Sequence, residues 1–224
     1  MSERTVPLSR FRELKNRTRK IGNRRWAEGV LQGVCSQLGP DGIAIDCGAN
    51  LGDVTAQLAA TGARVVAFEP DPFAYDALSR KAARLPNVEA VNAAVGPKAA
   101  TMTLWRHAGF DDKPKIRSQA STLMAGNLTS DPASGVEVEV IDFPAFVEAE
   151  LENRDRIDFL KIDIEGAEID LLNALEDRDL LSRIRLTVVE THEAILPHLA
   201  DDFAALRARI AAAHPASRVT LDWH

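Results

Sequence analysis

The chain has 224 residues, 46% hydrophobic and 27% charged, with a net charge of −6. That is the profile of an ordinary soluble globular protein with room for one large domain. No apolar run approaches the ~20 residues that span a bilayer, and two cysteines, Cys35 and Cys47, exclude a disulfide scaffold. The acidic body, with one Tyr and three Trp and no cluster of stacking rings, argues against a nucleic-acid partner.

The first 25 residues carry nine Lys/Arg against Glu3 and Glu13, a local balance of +7 on a body at −13. They lack an apolar core segment, so no leader peptide is expected and a cytoplasmic home follows by default. Residues 8–38 read as one or two helices. Trp26, Val30, Leu31, Val34 and Leu38 keep a helical period until Gly39-Pro40-Asp41-Gly42 stops it. A basic helical extension over 1–38 and a main domain over 39–224 are therefore expected.

Ile43 to Asp53 (I-A-I-D-C-G-A-N-L-G-D) begins as a short apolar run holding one acid, the pattern of a buried parallel strand. Gly48, Asn50 and Gly52 follow at two-residue spacing, and a helix starts at Asp53. Strand, glycine-rich turn and helix start make a nucleotide cradle, in which the backbone approaches the ligand and helix N–H groups face it. The spacing D-x-G-x-N-x-G is not the dinucleotide fingerprint G-x-G-x-x-G. It resembles the first motif of the Rossmann-like methyltransferases, which bind S-adenosylmethionine.

Ala63 to Glu69 reads as a second strand ending on an acid, and Asp71-Pro72 starts the next helix as N-cap and first helical residue. Val88 to Val95 reads as a third strand with Asn92 near its end, and Thr101 to Arg106 as a further strand. His107 to Gly135 is the least regular stretch, long enough to be functional. Val136 to Val140 alternates like an exposed or edge strand, and Phe143 to Leu151 is helical. Ile157 to Ile164 and Ile184 to Thr191 are strands, Leu199 to Ala213 is a helix, and Val219 to Trp223 is a last short strand. Alternation of strand and helix predicts an α/β fold with a mainly parallel sheet and helices on both faces.

In such sheets ligands bind beyond the carboxyl ends of the strands. Asp46, Glu69, Asn92, Asp163, Glu190 and His192 all fall there. Glu69, seventeen residues after Gly52, is placed to accept hydrogen bonds from both hydroxyls of a ribose, a position that NAD-binding folds share. Asn92 is a candidate for the adenine edge or for the turn itself.

The motifs Asp46–Gly52, Phe68-Glu69-Pro70, Asn92–Gly96, Ser121-Thr122-Leu123, Lys161–Glu168 (K-I-D-I-E-G-A-E) and Glu190-Thr191-His192 resemble the FkbM family of S-adenosylmethionine-dependent methyltransferases over residues 43–192. The K-x-D-x-E-G-A-E block is the most specific of them. The resemblance implies a Rossmann-like class I methyltransferase fold and methyl transfer, usually to a hydroxyl of a sugar or natural-product-like small molecule. It assigns Asp46, Gly48, Asn50, Gly52, Glu69, Asn92 and Asp163 to the cofactor, Asp163 through the donor's amino group. Neither the basic N-terminus nor the C-terminus is covered. Related folds close the sheet with an antiparallel pair, and only Val219 to Trp223 remains here to supply it.

An alcohol acceptor must be held in line with the methyl group and must lose its proton. Asp163, Glu165 and His192 are the candidate bases, with His192 suited by its ordinary pKa range. Asp163, Glu190 and His192 form an alternative set for a divalent metal, which the main reading does not require. The 107–135 stretch is the expected substrate lid. The rival readings are an NAD-dependent oxidoreductase, disfavoured by the absent fingerprint, and a non-catalytic S-adenosylmethionine-binding protein.

Overall fold

The computed structural model of the chain describes residues 25–118, 121–124, 130–193 and 195–223, together with Gly22. The N-terminal arm through residue 21 and parts of the expected lid lie outside the described residues. Helix α1 (25–37) leads into strand β1 (Ile43–Cys47), helix α2 (Asp53–Ala59), strand β2 (Arg64–Phe68), helix α3 (Pro72–Ala82) and strand β3 (Val88–Val91). After strands β4 (Ala94–Gly96), β5 (Ala100–His107) and β6 (Ser130–Asp142), with the short helix α4 (Pro114–Arg117) between the last two, comes helix α5 (Phe143–Leu151). Strand β7 (Phe159–Ile162), helix α6 (Glu168–Asp177), strand β8 (Thr187–Val189), helix α7 (Ala200–Ala213) and strand β9 (Val219–Thr220) complete the order.

Two sheets result. The main one has six strands in the order β3-β2-β1-β7-β8-β9, every pairing parallel. Order reverses between β1 and β7, so a crevice opens beyond their carboxyl ends. Residues alternate across the sheet as the pleat requires. Ile43, Ile45, Cys47, Val66 and Phe68 pack with α5, α6 and α7 on one face, whereas Ala44, Val65, Phe159 and Val188 pack with α1 and α2 on the other. Both sides of β1 are buried, as its apolar run predicts. Ala27 and Leu31 of α1 belong to the second cluster, so the C-terminal part of the expected extension packs onto the sheet.

The second sheet has the order β4-β6-β5, with β4 parallel and β5 antiparallel to β6. Two expectations are corrected here. Val88–Val95 is two strands in two sheets, broken at Asn92-Ala93, because the Asn92 side-chain amide donates to the carbonyls of Glu69 (2.8 Å) and Pro70 (3.2 Å) and turns the chain away. Val136–Val140 lies on the central strand of its sheet, not an edge. Its alternation reports one buried face, Val138 and Val140 inside with Glu137 and Glu139 outside, and says nothing of how many neighbours the strand has. At the far edge, β9 joins β8 in parallel, and among the described residues no antiparallel pair closes the main sheet.

Candidate active site

A cavity of about 520 Å³ opens at the carboxyl ends of β1, β2 and β7. Gly48, Asn50, Glu69, Asp163, Glu165 and Glu190 line it, together with Lys161. Leu104, Ser118, Ser121 and Leu123 form the wall contributed by β5 and the segment after it. Asp46, Gly52 and Asn92 are not brought to the cavity surface.

The cradle is a run of left-handed turns, with φ of 77° at Gly48, 48° at Asn50 and 78° at Gly52. Gly48 is required by close approach, since a Cβ there would lie 1.7 Å from the Asp163 carbonyl oxygen. The N–H groups of Gly48, Ala49, Asn50 and Gly52 are used inside the chain. Those of Gly48 and Ala49 both donate to the Phe68 carbonyl (3.0 and 2.9 Å), that of Asn50 to Glu69 Oε2 (2.8 Å) and that of Gly52 to the Ala49 carbonyl (2.8 Å). The turn therefore shapes the cavity by bringing backbone close.

Glu69 sits at the end of β2 with its other oxygen accepting from the Asp71 N–H at 2.8 Å. Burial pushes its carboxyl up to about 8 against the opposing pull of the Asp71 and Asn50 N–H groups. Asp71, fully buried, does more than cap α3 through the Phe73 N–H. It takes a two-pronged ion pair from Arg106 of β5 (3.0 and 2.8 Å) and a hydrogen bond from Ser121 (3.1 Å), while Arg106 also lies 4.3 Å over the Phe110 ring. The sequence announces Asp71 only as a cap; the partners come from residues 35 and 50 positions away.

Beneath the cavity, Lys161 of β7 links Asp46 Oδ1 (3.3 Å), Asp163 Oδ2 (3.2 Å) and the Gly48 carbonyl (3.2 Å). Asp46 also accepts from Thr55 Oγ1 at 2.7 Å. Burial works to lower the Lys161 pKa, but Asp163 and Asp46 outweigh it and hold the ammonium above its ordinary range. Asp46 thus ties strand β1 to β7, from a position behind the cavity surface.

The most specific block of the sequence forms a bend. After Asp163 the chain passes through Glu165 at φ 56° and Gly166 at φ 113°, then enters α6 at Glu168. The φ of Gly166 is one that residues with a side chain rarely adopt, so glycine is needed. The bend brings three carboxylates around one ring. His192 Nδ1 lies 2.9 Å from Glu168 Oε1, and Nε2 lies 3.3 Å from Glu165 and 3.8 Å from Asp163. Burial tends to lower the His192 pKa, but the bonds to Glu165 and Glu168 win and raise it to about 11. Glu165 is raised, by burial first and against the pull of His192, and Glu190 is pushed up to about 7 by burial and then by the charge of Asp163. Glu168 and Lys161 were not anticipated as site residues. The signal lay in the spacing, since a lysine two before Asp163 shares its side of the strand and a carboxylate three past Glu165 opens the helix.

The model of the methyltransferase FkbM domain matches residues 46–214. A curated relative, methyltransferase sdnD of Sordaria araneosa, is 30% identical over 172 residues, 66% of each chain. The crystal structure of methyltransferase FkbM from Methylobacillus flagellatus KT aligns over 76% of this chain and 38% of its own, with 18% identity and a TM-score of 0.44. The chain therefore spans about two thirds of the curated relative and under half of the solved one.

Proposed function

Since the chain belongs to the FkbM methyltransferase domain family, we propose that it methylates a hydroxyl of a sugar or natural-product-like small molecule, with S-adenosylmethionine as donor. The observation that carries this reading is the convergence of the Gly48 cradle, the Glu69 carboxylate and Asp163 on one cavity at the carboxyl ends of the central strands. These residues fit the group. A cradle that closes on backbone at Gly48 leaves room for a flat nucleoside. Glu69 retains lone pairs for ribose hydroxyls, and Asp163 suits the amino group through Oδ2, its Oδ1 being the oxygen turned to His192. Bound there, S-adenosylmethionine would supply a methyl group already activated on a sulfonium, for transfer to the acceptor oxygen.

The protein's own work is positioning and proton removal. Holding the acceptor oxygen in line is worth ~7–11 kcal/mol of barrier. A proton acceptor adds ~10²–10⁴-fold. Of the candidate bases, Glu165 and Asp163 line the cavity, whereas the His192 ring is engaged by carboxylates at both nitrogens. The acceptor's proton is therefore assigned to one of the cavity-lining carboxylates, Asp163, Glu165 or Glu190, with His192 positioning Glu165.

Calorimetry with S-adenosylhomocysteine and NAD tests the cofactor. Tight binding of the former, weakened in Glu69→Ala by ~0.5–1.5 kcal/mol per hydrogen bond lost, is the expected result. Binding of NAD alone would overturn the reading. Transfer of labelled methyl to a panel of glycosides and hydroxylated metabolites then tests catalysis, and binding without any transfer would favour a non-catalytic role.

A further inference from the structure

Building on that reading, we propose that Asp163, Glu165 and His192 form a binding site for one divalent cation, on which an oxygen of the methyl acceptor is held. The three ligand atoms all lie within 4.8 Å of one another. Nε2 of His192 stands 3.3 Å from Glu165 Oε2 and 3.8 Å from Asp163 Oδ1. Ligand atoms so spaced can share an ion at bond lengths of ~2.0–2.2 Å with little movement.

Two further features point to a cation. The first is the support of the ring. Glu168 is fully buried, accepts from the Gly166 N–H at 3.0 Å and stands 2.9 Å from His192 Nδ1. A carboxylate there holds the ring by Nδ1 and directs Nε2 toward Asp163 and Glu165, the arrangement that orients metal-ligating histidines. The second is unmatched negative charge. Glu168 Oε2 is buried without a hydrogen-bond partner. Three carboxylates thus face one imidazole, and Lys161 is already shared between Asp46 and Asp163. An ion at Nε2 would displace a proton to solvent and set two positive charges where the ring alone supplies one.

Two carboxylates and one imidazole suit Mn²⁺ with open positions for oxygen ligands. Asp163 and Glu165 line the cavity, so an ion they hold can reach a hydroxyl bound there. Coordination lowers the hydroxyl's pKa and fixes its orientation. The proton then leaves to another cavity carboxylate, Glu190, which lies outside the ligand set.

The site is tested with the full chain, stripped with chelator and titrated with Mn²⁺ by electron paramagnetic resonance. Binding of S-adenosylhomocysteine is measured in parallel. We expect one Mn²⁺ per chain, weakened tenfold or more by Glu165→Gln, and by 10–100-fold in Glu168→Gln, whose side chain supports the ring. Retained S-adenosylhomocysteine affinity certifies that these variants are folded. No saturable Mn²⁺ site, or equal Mn²⁺ binding in Glu165→Gln, would overturn the cation site while leaving the methyltransferase reading intact. Mn²⁺ bound without any affinity for S-adenosylhomocysteine would support the site and remove the function it was argued from.

Discussion

Gly48→Ala tests the cradle most directly. The added methyl would meet the Asp163 carbonyl oxygen at 1.7 Å and its carbon at 2.9 Å, both backbone atoms. To reach 3.0 Å, below which real Cβ contacts essentially never fall, the two strand ends must part by about 1.3 Å. The left-handed φ of 77° adds ~1–2 kcal/mol for a residue with a side chain. Lys161 bridges the same two ends through Asp163 and the Gly48 carbonyl, so its buried ion pairs are strained as well. A displacement of that size at a positioning residue costs on the order of 10²-fold in turnover, and we expect stability to fall by at least ~3 kcal/mol. Gly52→Ala is the matched control. Its φ is 78°, but the new methyl meets only the Leu78 Cδ1 tip at 2.8 Å, which can rotate. It should lose ~1–2 kcal/mol and keep its ligand. Urea denaturation and calorimetry with S-adenosylhomocysteine on both variants give the comparison. Equal losses in the two, or unchanged binding in Gly48→Ala, would refute the close-approach argument.

Other substitutions probe the rest of the site. Lys161→Met strands the fully buried Asp46 and should destabilise by ~3–5 kcal/mol; urea denaturation showing a loss under 1 kcal/mol would mean that Asp46 is satisfied otherwise. Arg106→Leu removes the anchor that Asp71 offers to β5, and amide exchange at 121–124 should then accelerate while β1 and β2 stay protected. Glu69 is raised to about 8 from an ordinary 4.5, so the fold takes up a proton there. Its contribution is complete below pH 4.5 and is lost as pH rises to 8, a tilt of roughly 1 kcal/mol per pH unit. Denaturation from pH 5 to 9 should show that tilt in the wild-type protein relative to Glu69→Gln, and parallel curves would rule it out.

The parallel sheet, the cradle and the cap at Asp71 were legible because each depends on neighbours in sequence: an apolar run, glycines at close spacing, Asp before Pro. What stayed hidden depends on distant partners. Asp46 and Asn92 sit at strand ends as expected, yet Thr55 and Lys161 hold the first and the Glu69 and Pro70 carbonyls hold the second. No local pattern separates a strand-end acid that faces a ligand from one that braces the scaffold. His192 was read by its ordinary pKa, and only the bend at Glu165-Gly166 shows that three carboxylates surround it.

The break at Asn92 hands the chain from one sheet to another, and so divides the cavity into two parts with separate foundations. The cradle, Glu69 and the Lys161–Glu168 bend stand on the six-stranded sheet, while Leu104 and the wall of Ser118, Ser121 and Leu123 stand on or beside the three-stranded one. Among the described residues, the side-chain ties that cross between them at the cavity are Arg106 and Ser121 to Asp71, Ser118 to Asn50, and Thr122 to the Glu165 carbonyl. An exchange of the β5–β6 insert that keeps those four residues can reshape one wall without disturbing the other. One wall of the cavity is thereby carried on a replaceable part, and the other on a fixed one.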